Sequence, residues 1–272
     1  GQKMYAELSP ETKEFFDFMM ENELFDVFGR KDKKQGGYMT YLYQYHSPFI
    51  FANFNGTSGD VDVITHECGH AFQGYLSGQD PIMEHADITM ETAEIHSMSM
   101  EFFAWPWAEG FFGKDTRKFL YSHLAGALTF IPYGTMVDHF QHIVYEKPDL
   151  TPAERHAAWK ELLGIYMPWM KLDGEIPFYG AGEYWQRQMH IYQSPFYYID
   201  YCLAQTAAFQ FLLASQDDYD DAFARYLHLS QQGGEKLWTD LLAEAGFRSP
   251  FEPGALAQLA ARVEPLIRKH TV

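Results

Sequence analysis

The hydrophobic positions along the first fifty residues predict one helix followed by two strands. Ser9, Pro10 and Glu11 form a typical helix start, and the apolar residues after them carry the helix towards Gly29 and the basic run 30–34. Residues 36–43 and 48–54 are short aromatic segments separated by Gly and Pro, a pattern that favours strands. The sequence therefore predicts a small antiparallel β-sheet near the N-terminus.

Beyond the loop 55–59 the apolar residues recur at helical spacing. The predicted helices are 60–76, 88–105, 116–145, 152–167, 196–215, 219–229, 236–244 and 254–269. A Gly-, Pro- and Tyr-rich connection over 171–195 interrupts them, and a connection of that length in a compact domain is more often functional than idle. The predicted fold class is mainly α.

The composition suits one large folded domain. The chain has 272 residues, of which 47% are hydrophobic and 17% aromatic, enough for a substantial core. No repeat or long linker divides it, so residues 1–272 are expected to form a single catalytic domain.

The charge balance and the cysteine count exclude several classes of function. Twenty Lys and Arg face 37 Asp and Glu, for a net charge of −17, which argues against nucleic acid or an anionic membrane surface as partner. The apolar stretches are broken before 18 residues, so no membrane span is expected. Cys68 and Cys202 cannot form a disulfide framework, and a reducing cytoplasmic location is expected.

A metal-binding motif lies in the predicted helix 60–76. His66, Glu67 and His70 form an HExxH sequence, whose histidines at i and i+4 share a helix face and can reach one zinc ion. Glu67 is rotated by about 100° from His66, where it can take a proton from a zinc-bound water and deliver it to a leaving amine. The alternative is a helix with two incidental histidines.

A catalytic zinc site needs a third protein ligand. Leu76 stands where the metzincin pattern would place a histidine. Of the nearby acids, Glu94 is the predicted ligand, because 24 residues after His70 allow the first helix to end and a second to return antiparallel. Asp87 has a short side chain at an expected helix cap.

Other polar residues are predicted to support the ligands. Asp62 lies one turn before His66 and can orient its imidazole, and Glu91, like Glu101, lies within about 60° of Glu94 on the helical wheel. Glu91 or Glu101 can therefore hydrogen-bond to a metal ligand and hold it in position, without binding the metal itself.

A second cluster lies at 190–201. His190 and four tyrosines, Tyr198 and Tyr201 among them, join the long connection to a helix. Peptide hydrolysis needs donors for the oxyanion of the tetrahedral intermediate, and phenol or imidazole groups can supply them. The alternative is ordinary aromatic packing.

Taken in order along the chain, these motifs resemble the oligoendopeptidase F branch of the thimet oligopeptidase-like zinc metallopeptidases. The resemblance rests on Gly36-Gly37-Tyr38, on 49–57, on the HExxH helix, on Glu91-Thr92-Ala93-Glu94 and on 190–201.

The resemblance implies a helical zincin-type catalytic domain with one Zn²⁺ ion. It implies that His66, His70 and Glu94 hold the zinc, that Glu67 is general base and acid, and that His190, Tyr198 and Tyr201 bind substrate or stabilise the oxyanion. It also implies that Gly36, Gly37 and Tyr38 pair with the substrate backbone.

Members of this family are longer, with an N-terminal helical half that forms the opposite wall of a channel. The chain is therefore expected to be the C-terminal half of a longer peptidase, completed by the missing half or by another chain. The predicted function is zinc-dependent hydrolysis of short, unfolded peptides. The alternative is a zinc-containing peptide-binding or structural fragment, inactive without the missing half.

Overall fold

The computed structural model describes residues 1–172 and 176–271, and these form helices with one small sheet. The strands are β1 (Phe25–Phe28), β2 (Tyr38–Leu42) and β3 (Ser47–Phe54). The helices are α1 (Gln2–Leu8), α2 (Pro10–Glu21), α3 (Gly59–Ser77), α4 (Met83–Ala86), α5 (Met90–Phe103), α6 (Ala108–Phe112), α7 (Thr116–Glu146), α8 (Pro152–Tyr166), α9 (His190–Gln193), α10 (Tyr198–Asp217), α11 (Tyr219–Gln231), α12 (Trp238–Glu244) and α13 (Ala255–His270).

The mainly helical fold class is confirmed, and each predicted long helix lies within two residues of an observed one at both ends. The start of α2 is also confirmed, because the Ser9 hydroxyl accepts from the backbone N–H of Thr12 at 3.1 Å in a capping box. Residues 173–175 of the predicted connection lie outside the described residues.

The N-terminal helix was predicted to run too far. Helix α2 ends at Glu21, and the chain reverses through Glu23, whose φ of 54° is incompatible with a continuing helix. Residues 25–28 then form β1. Four residues are too few for an alternation of apolar and polar positions to distinguish this strand from the helical pattern before it.

The sheet has the strand order β1-β3-β2. Strands β2 and β3 form the predicted antiparallel pair, with Tyr38 opposite Phe51 and Leu42 opposite Ser47. Strand β1 adds a parallel pair with β3, so the sheet is mixed. Within the described part of the chain β2 is an edge strand, and its outer side is free of sheet partners.

The chain divides into two compact units. The first is Gly1–His123 with Ala204–Val272. In it α3 packs on the sheet and on α5, and α11 packs on both of these helices. Phe15, Phe72 and Phe103 are buried in its core with Tyr226, whose hydroxyl donates to the His96 carbonyl at 2.9 Å and so ties α11 to α5.

The second unit is Leu124–Leu203. Its core is built from α7, α8 and the segment 185–198. The buried members of that core are Met136, Val137, Phe140, Trp159, Leu162, Trp185, Ile191 and Tyr198. Among all described residues, no helix has both the length and the apolar character needed to cross a bilayer.

Candidate metal centre

Helix α3 places the two histidines of the HExxH motif together. Since His66 and His70 are four residues apart, they lie on one face of α3, with ring centroids 5.0 Å apart. Both side chains are mostly buried, His66 with 22% and His70 with 14% of its surface exposed.

A close contact between two helices brings the predicted third ligand to the histidines. A Cβ at Gly69 would lie 2.5 Å from the His96 carbonyl oxygen and 2.6 Å from the Ser97 Cα, so only glycine lets α3 approach α5 this closely. Glu94 of α5 then points at the histidines. Its Oε2 lies 3.3 Å from His66 Nε2 and 3.5 Å from His70 Nε2.

The three side chains fit a zinc ion. Their ligand atoms lie within 4.8 Å of one another. A tetrahedral Zn²⁺ with bonds of about 2.0–2.1 Å separates its ligand atoms by about 3.3–3.4 Å, which matches the two measured distances. Two imidazoles and one carboxylate are also a donor set of catalytic zinc sites, which leaves a fourth position for water or substrate.

The surroundings of Glu94 favour its ionised form. Burial alone would raise the pKa of Glu94, but the charges and hydrogen bonds of His70 and His66 outweigh it and lower the pKa well below its ordinary value. The Ser97 hydroxyl also donates to Glu94 Oε2, at 2.9 Å. The carboxylate is therefore held ionised and oriented, as a metal ligand requires.

Glu67 lies beside the ligands, with 7% of its surface exposed. Its Oε2 is buried and has no hydrogen-bond partner among the described residues, so one carboxylate oxygen is available as a proton acceptor. Burial raises the pKa of Glu67, against the opposite effect of the charges of His70 and His66. A Cβ at Gly37 would lie 3.4 Å from Glu67 Oε1, so the residue just before β2 adjoins this carboxylate.

The side chain that supports His66 is Glu101. His66 Nδ1 lies 2.6 Å from Glu101 Oε1, and Glu101 Oε2 lies 2.7 Å from His123 Nε2. Burial alone would raise the pKa of Glu101, but its hydrogen bonds with His123 and His66 lower it to about 2. Burial alone would lower the pKa of His66, and its hydrogen bonds with Glu101 and Glu94 raise it well above the ordinary value.

The sequence could suggest Glu101 only as one of several acids on a helix, whereas His123 gave no signal. Their contact joins residues 22 positions apart on different helices, a separation that hydrophobic periodicity does not reveal.

Asp62 and Glu91 stay predictions as residues that support the metal ligands. Asp62 Oδ1 is buried without a partner among the described residues, beside a cavity of about 10 Å³ that Glu101 and His123 also line, and Glu91 is half-buried on α5.

The predicted oxyanion donors come together in the second unit. The ring centroid of His190 lies 5.0 Å from that of Tyr198 and 5.9 Å from that of Tyr201. Gln188, which the sequence did not single out, lies with its Nε2 2.7 Å from His190 Nδ1 and accepts a hydrogen bond from the Tyr133 hydroxyl at 2.9 Å. Burial raises the pKa of Tyr198 well above its ordinary value, so the phenol keeps its proton and can donate.

The predicted substrate strand lies at the edge of the sheet in the first unit. Gly36 has a φ of 105°, a conformation that favours glycine, and β2 begins two residues later at Tyr38. Tyr38 stacks on Phe51 of β3 with centroids 5.0 Å apart, which holds the start of β2 against its neighbour. The outer side of β2 has no sheet partner among the described residues, and its pairing with a substrate peptide stays a prediction.

A second group of potential ligands lies at the surface of the first unit. Asp80, His85 and Glu235 also bring their ligand atoms within 4.8 Å. His85 Nδ1 lies 3.1 Å from Asp80 Oδ2 and 3.6 Å from Glu235 Oε1, the geometry of a histidine that bridges a half-buried and an exposed acid. We assign no chemistry to this group.

Both cysteines are expected to be unreactive in the native protein. Cys68 is fully buried and Cys202 is 4% exposed, and burial raises the pKa of each thiol to about 12. At pH 8 the thiolate fraction should be about three orders of magnitude below that of an exposed thiol, and reaction with a chromogenic disulfide should slow accordingly.

The control for this measurement is the same protein in denaturant, where both thiols should react at once. As pH rises above about 8.5, thiolate formation should favour the unfolded chain, because only there do the thiols have their ordinary pKa. A thiol that reacts in the native protein at the rate of an exposed one would contradict the burial.

Comparison with known proteins gives a family match for this chain. The profile of peptidase family M3 matches residues 12–261. Among curated proteins, the chain is 24% identical over 256 residues to oligopeptidase PepF of Bacillus subtilis, covering 89% of this chain and 37% of that protein. It is 25% identical over 249 residues to an oligoendopeptidase F homolog of Borreliella burgdorferi, covering 86% of this chain and 40% of that protein.

A solved structure shows the same fold. A structure of Pz peptidase A with an inhibitor superimposes with a TM-score of 0.95 and 52% sequence identity. The match covers 99% of this chain and 48% of the other. The chain thus spans less than half the length of these relatives.

Proposed function

The chain belongs to peptidase family M3, and we propose that it is the catalytic part of a zinc-dependent endopeptidase that hydrolyses short, unfolded peptides. The observation that carries the proposal is the convergence of His66, His70 and Glu94 beside Glu67, whose Oε2 is a buried acceptor without a partner among the described residues. A metal-ligand set next to an available carboxylate is the arrangement that metal-assisted hydrolysis of an amide needs.

The residues then have distinct roles. Zinc, when bound, supplies the Lewis acidity that polarises the scissile carbonyl and acidifies a water. His66, His70 and Glu94 hold it. Glu67 takes a proton from the attacking water and delivers it to the leaving amine, so one carboxyl group serves as base and then as acid.

The remaining predicted residues bind and position the peptide. The outer side of β2, preceded by Gly36 and Gly37 and beginning at Tyr38, pairs with the extended substrate backbone, which excludes folded segments from cleavage. His190, Tyr198 and Tyr201 supply hydrogen-bond donors for the oxyanion. Two buried free thiols fit a reducing compartment, and the proposal includes a cytoplasmic location.

Cleavage of a pool of short quenched-fluorescent peptides tests the proposal. The folded chain, with its zinc content measured, is expected to cleave peptides, to lose activity with a chelator and to recover it when zinc is added back. A folded protein incubated under the same conditions should stay intact, because it offers no extended segment.

The relatives' greater length defines the opposing outcome. A folded sample that contains zinc but cleaves nothing would contradict activity of this chain and favour a peptide-binding or structural part. Cleavage restored by the N-terminal half of a longer relative, added as a separate chain, would then assign that half to substrate positioning.

A further inference from the structure

Four side chains form a continuous hydrogen-bonded line that ends at the candidate metal ligand His66. The indole Nε1 of Trp105 donates to His123 Nδ1 at 3.0 Å. His123 Nε2 lies 2.7 Å from Glu101 Oε2, and Glu101 Oε1 lies 2.6 Å from His66 Nδ1. The two histidines and Glu101 expose between 10% and 22% of their side chains, so water competes weakly for these bonds.

The chemistry of the groups fixes the direction of every bond in this line. An indole N–H can only donate, so His123 accepts at Nδ1 and carries its proton at Nε2. That proton is donated to Glu101, and the second carboxylate oxygen accepts from His66 Nδ1. With this proton at Nδ1, the neutral form of His66 has its lone pair on Nε2, the atom that faces Glu94 Oε2 and the ligand cluster.

We propose that Trp105 and His123 act as positioning residues for zinc binding, by holding Glu101 as the acceptor that sets the tautomer and ring orientation of His66. The proposal rests on the proposed function, since it needs the metal to bind at His66, His70 and Glu94. Trp105 acts through His123: while its N–H occupies Nδ1, the imidazole is not free to turn away from Glu101 or to take the other tautomer.

Trp105 also packs against aromatic rings, and this packing has to be separated from its hydrogen bond. Its ring centroid lies 5.3 Å from that of Phe102 and 5.6 Å from that of His270. A Trp105→Phe variant keeps an aromatic ring in these contacts while it removes the donor.

The chain offers a matched control two residues away. Trp107 donates its indole N–H to Glu7 Oε2 at 2.8 Å, outside the line that leads to His66. Trp107→Phe therefore makes the same chemical change, on the same turn of the chain, without touching Glu101 or His123.

Zinc affinity, measured on the full chain by competition with a chromogenic chelator, tests the proposal. Glu101→Gln should weaken zinc binding by about 10- to 100-fold, and Trp105→Phe by a smaller factor, roughly three- to tenfold, because it acts through two intervening groups. Trp107→Phe should leave the affinity unchanged. The visible spectrum of the Co²⁺-loaded protein should shift in the first two variants and not in the third.

A double-mutant cycle separates the line from independent structural effects. If Trp105 acts through Glu101, Trp105→Phe should add no further loss of zinc affinity in a Glu101→Gln background. The same loss in both backgrounds, or a Trp105→Phe variant that matches Trp107→Phe in affinity and spectrum, would overturn the proposal while leaving the proposed function intact. A native chain that binds no zinc would instead overturn both.

Discussion

Replacing Glu67 by Gln is expected to stop peptide turnover while zinc stays bound. Glutamine keeps the size and shape of the side chain but cannot accept a proton, so kcat should fall by about 10³-fold or more. Glu67 is not one of the three converging ligands, and zinc affinity should change by less than the roughly tenfold typical of losing a supporting residue. Single-turnover cleavage of a fluorescent peptide and chelator competition measure the two quantities.

The matched control is Glu109→Gln, which makes the same change at an exposed carboxylate of α6 in the same unit. It should leave both the rate and the affinity unaltered. Full activity in Glu67→Gln would remove Glu67 from the mechanism, and loss of zinc from that variant would make Glu67 part of the metal site.

Gly69→Ala is expected to destabilise the protein and to weaken zinc binding together. The added Cβ would lie 2.5 Å from the His96 carbonyl oxygen, a backbone atom that cannot move without displacing α5. Overpacking of this kind costs about 1–3 kcal/mol or more, whereas the better helix propensity of alanine returns about 1 kcal/mol. Because the clash is with backbone atoms, the cost should lie at the upper end of this range, which leaves a net loss of about 2 kcal/mol. The displacement of α5 should also move Glu94 away from His66.

Gly126→Ala is the control for this prediction. Gly126 lies inside α7 with nothing within 4 Å of an added Cβ, so the same substitution should raise stability by up to about 1 kcal/mol. Thermal unfolding of the metal-free variants and their zinc affinities provide the comparison. Equal shifts in the two variants would contradict a close approach of α3 to α5.

The parts of the fold that could be predicted from the sequence are those with local causes. The helices α3 and α5 follow from apolar periodicity, and the choice of Glu94 required only that a second helix return antiparallel to the first. Gly69 carries a local signal as well, because a glycine inside a helix marks a surface where another backbone can approach, although it does not identify the approaching helix.

The parts that could not be predicted depend on contacts between distant residues. Strand β1 has only four residues and acquires its strand conformation from pairing with β3. Its residue Phe25 lies opposite Ile50, which is 25 positions further along the chain. The choice of Glu101 as the partner of His66 depends on the distance between two helix faces. The pairing of His123 with Trp105 depends on how α7 packs against the turn 105–107 that follows α5. No sequence motif describes that packing.

The open edge of β2 has a consequence for how the chain behaves at high concentration. Tyr38 and Leu42 are exposed on this strand, and its outer N–H and C=O groups have no sheet partner among the described residues. An edge of this kind binds another strand through backbone hydrogen bonds, whatever the side chains of that strand are. It can therefore pair with a peptide or with the same edge of a second copy of the chain. If peptides bind at β2 as proposed, self-association should compete with them, and a saturating peptide should keep the protein monomeric.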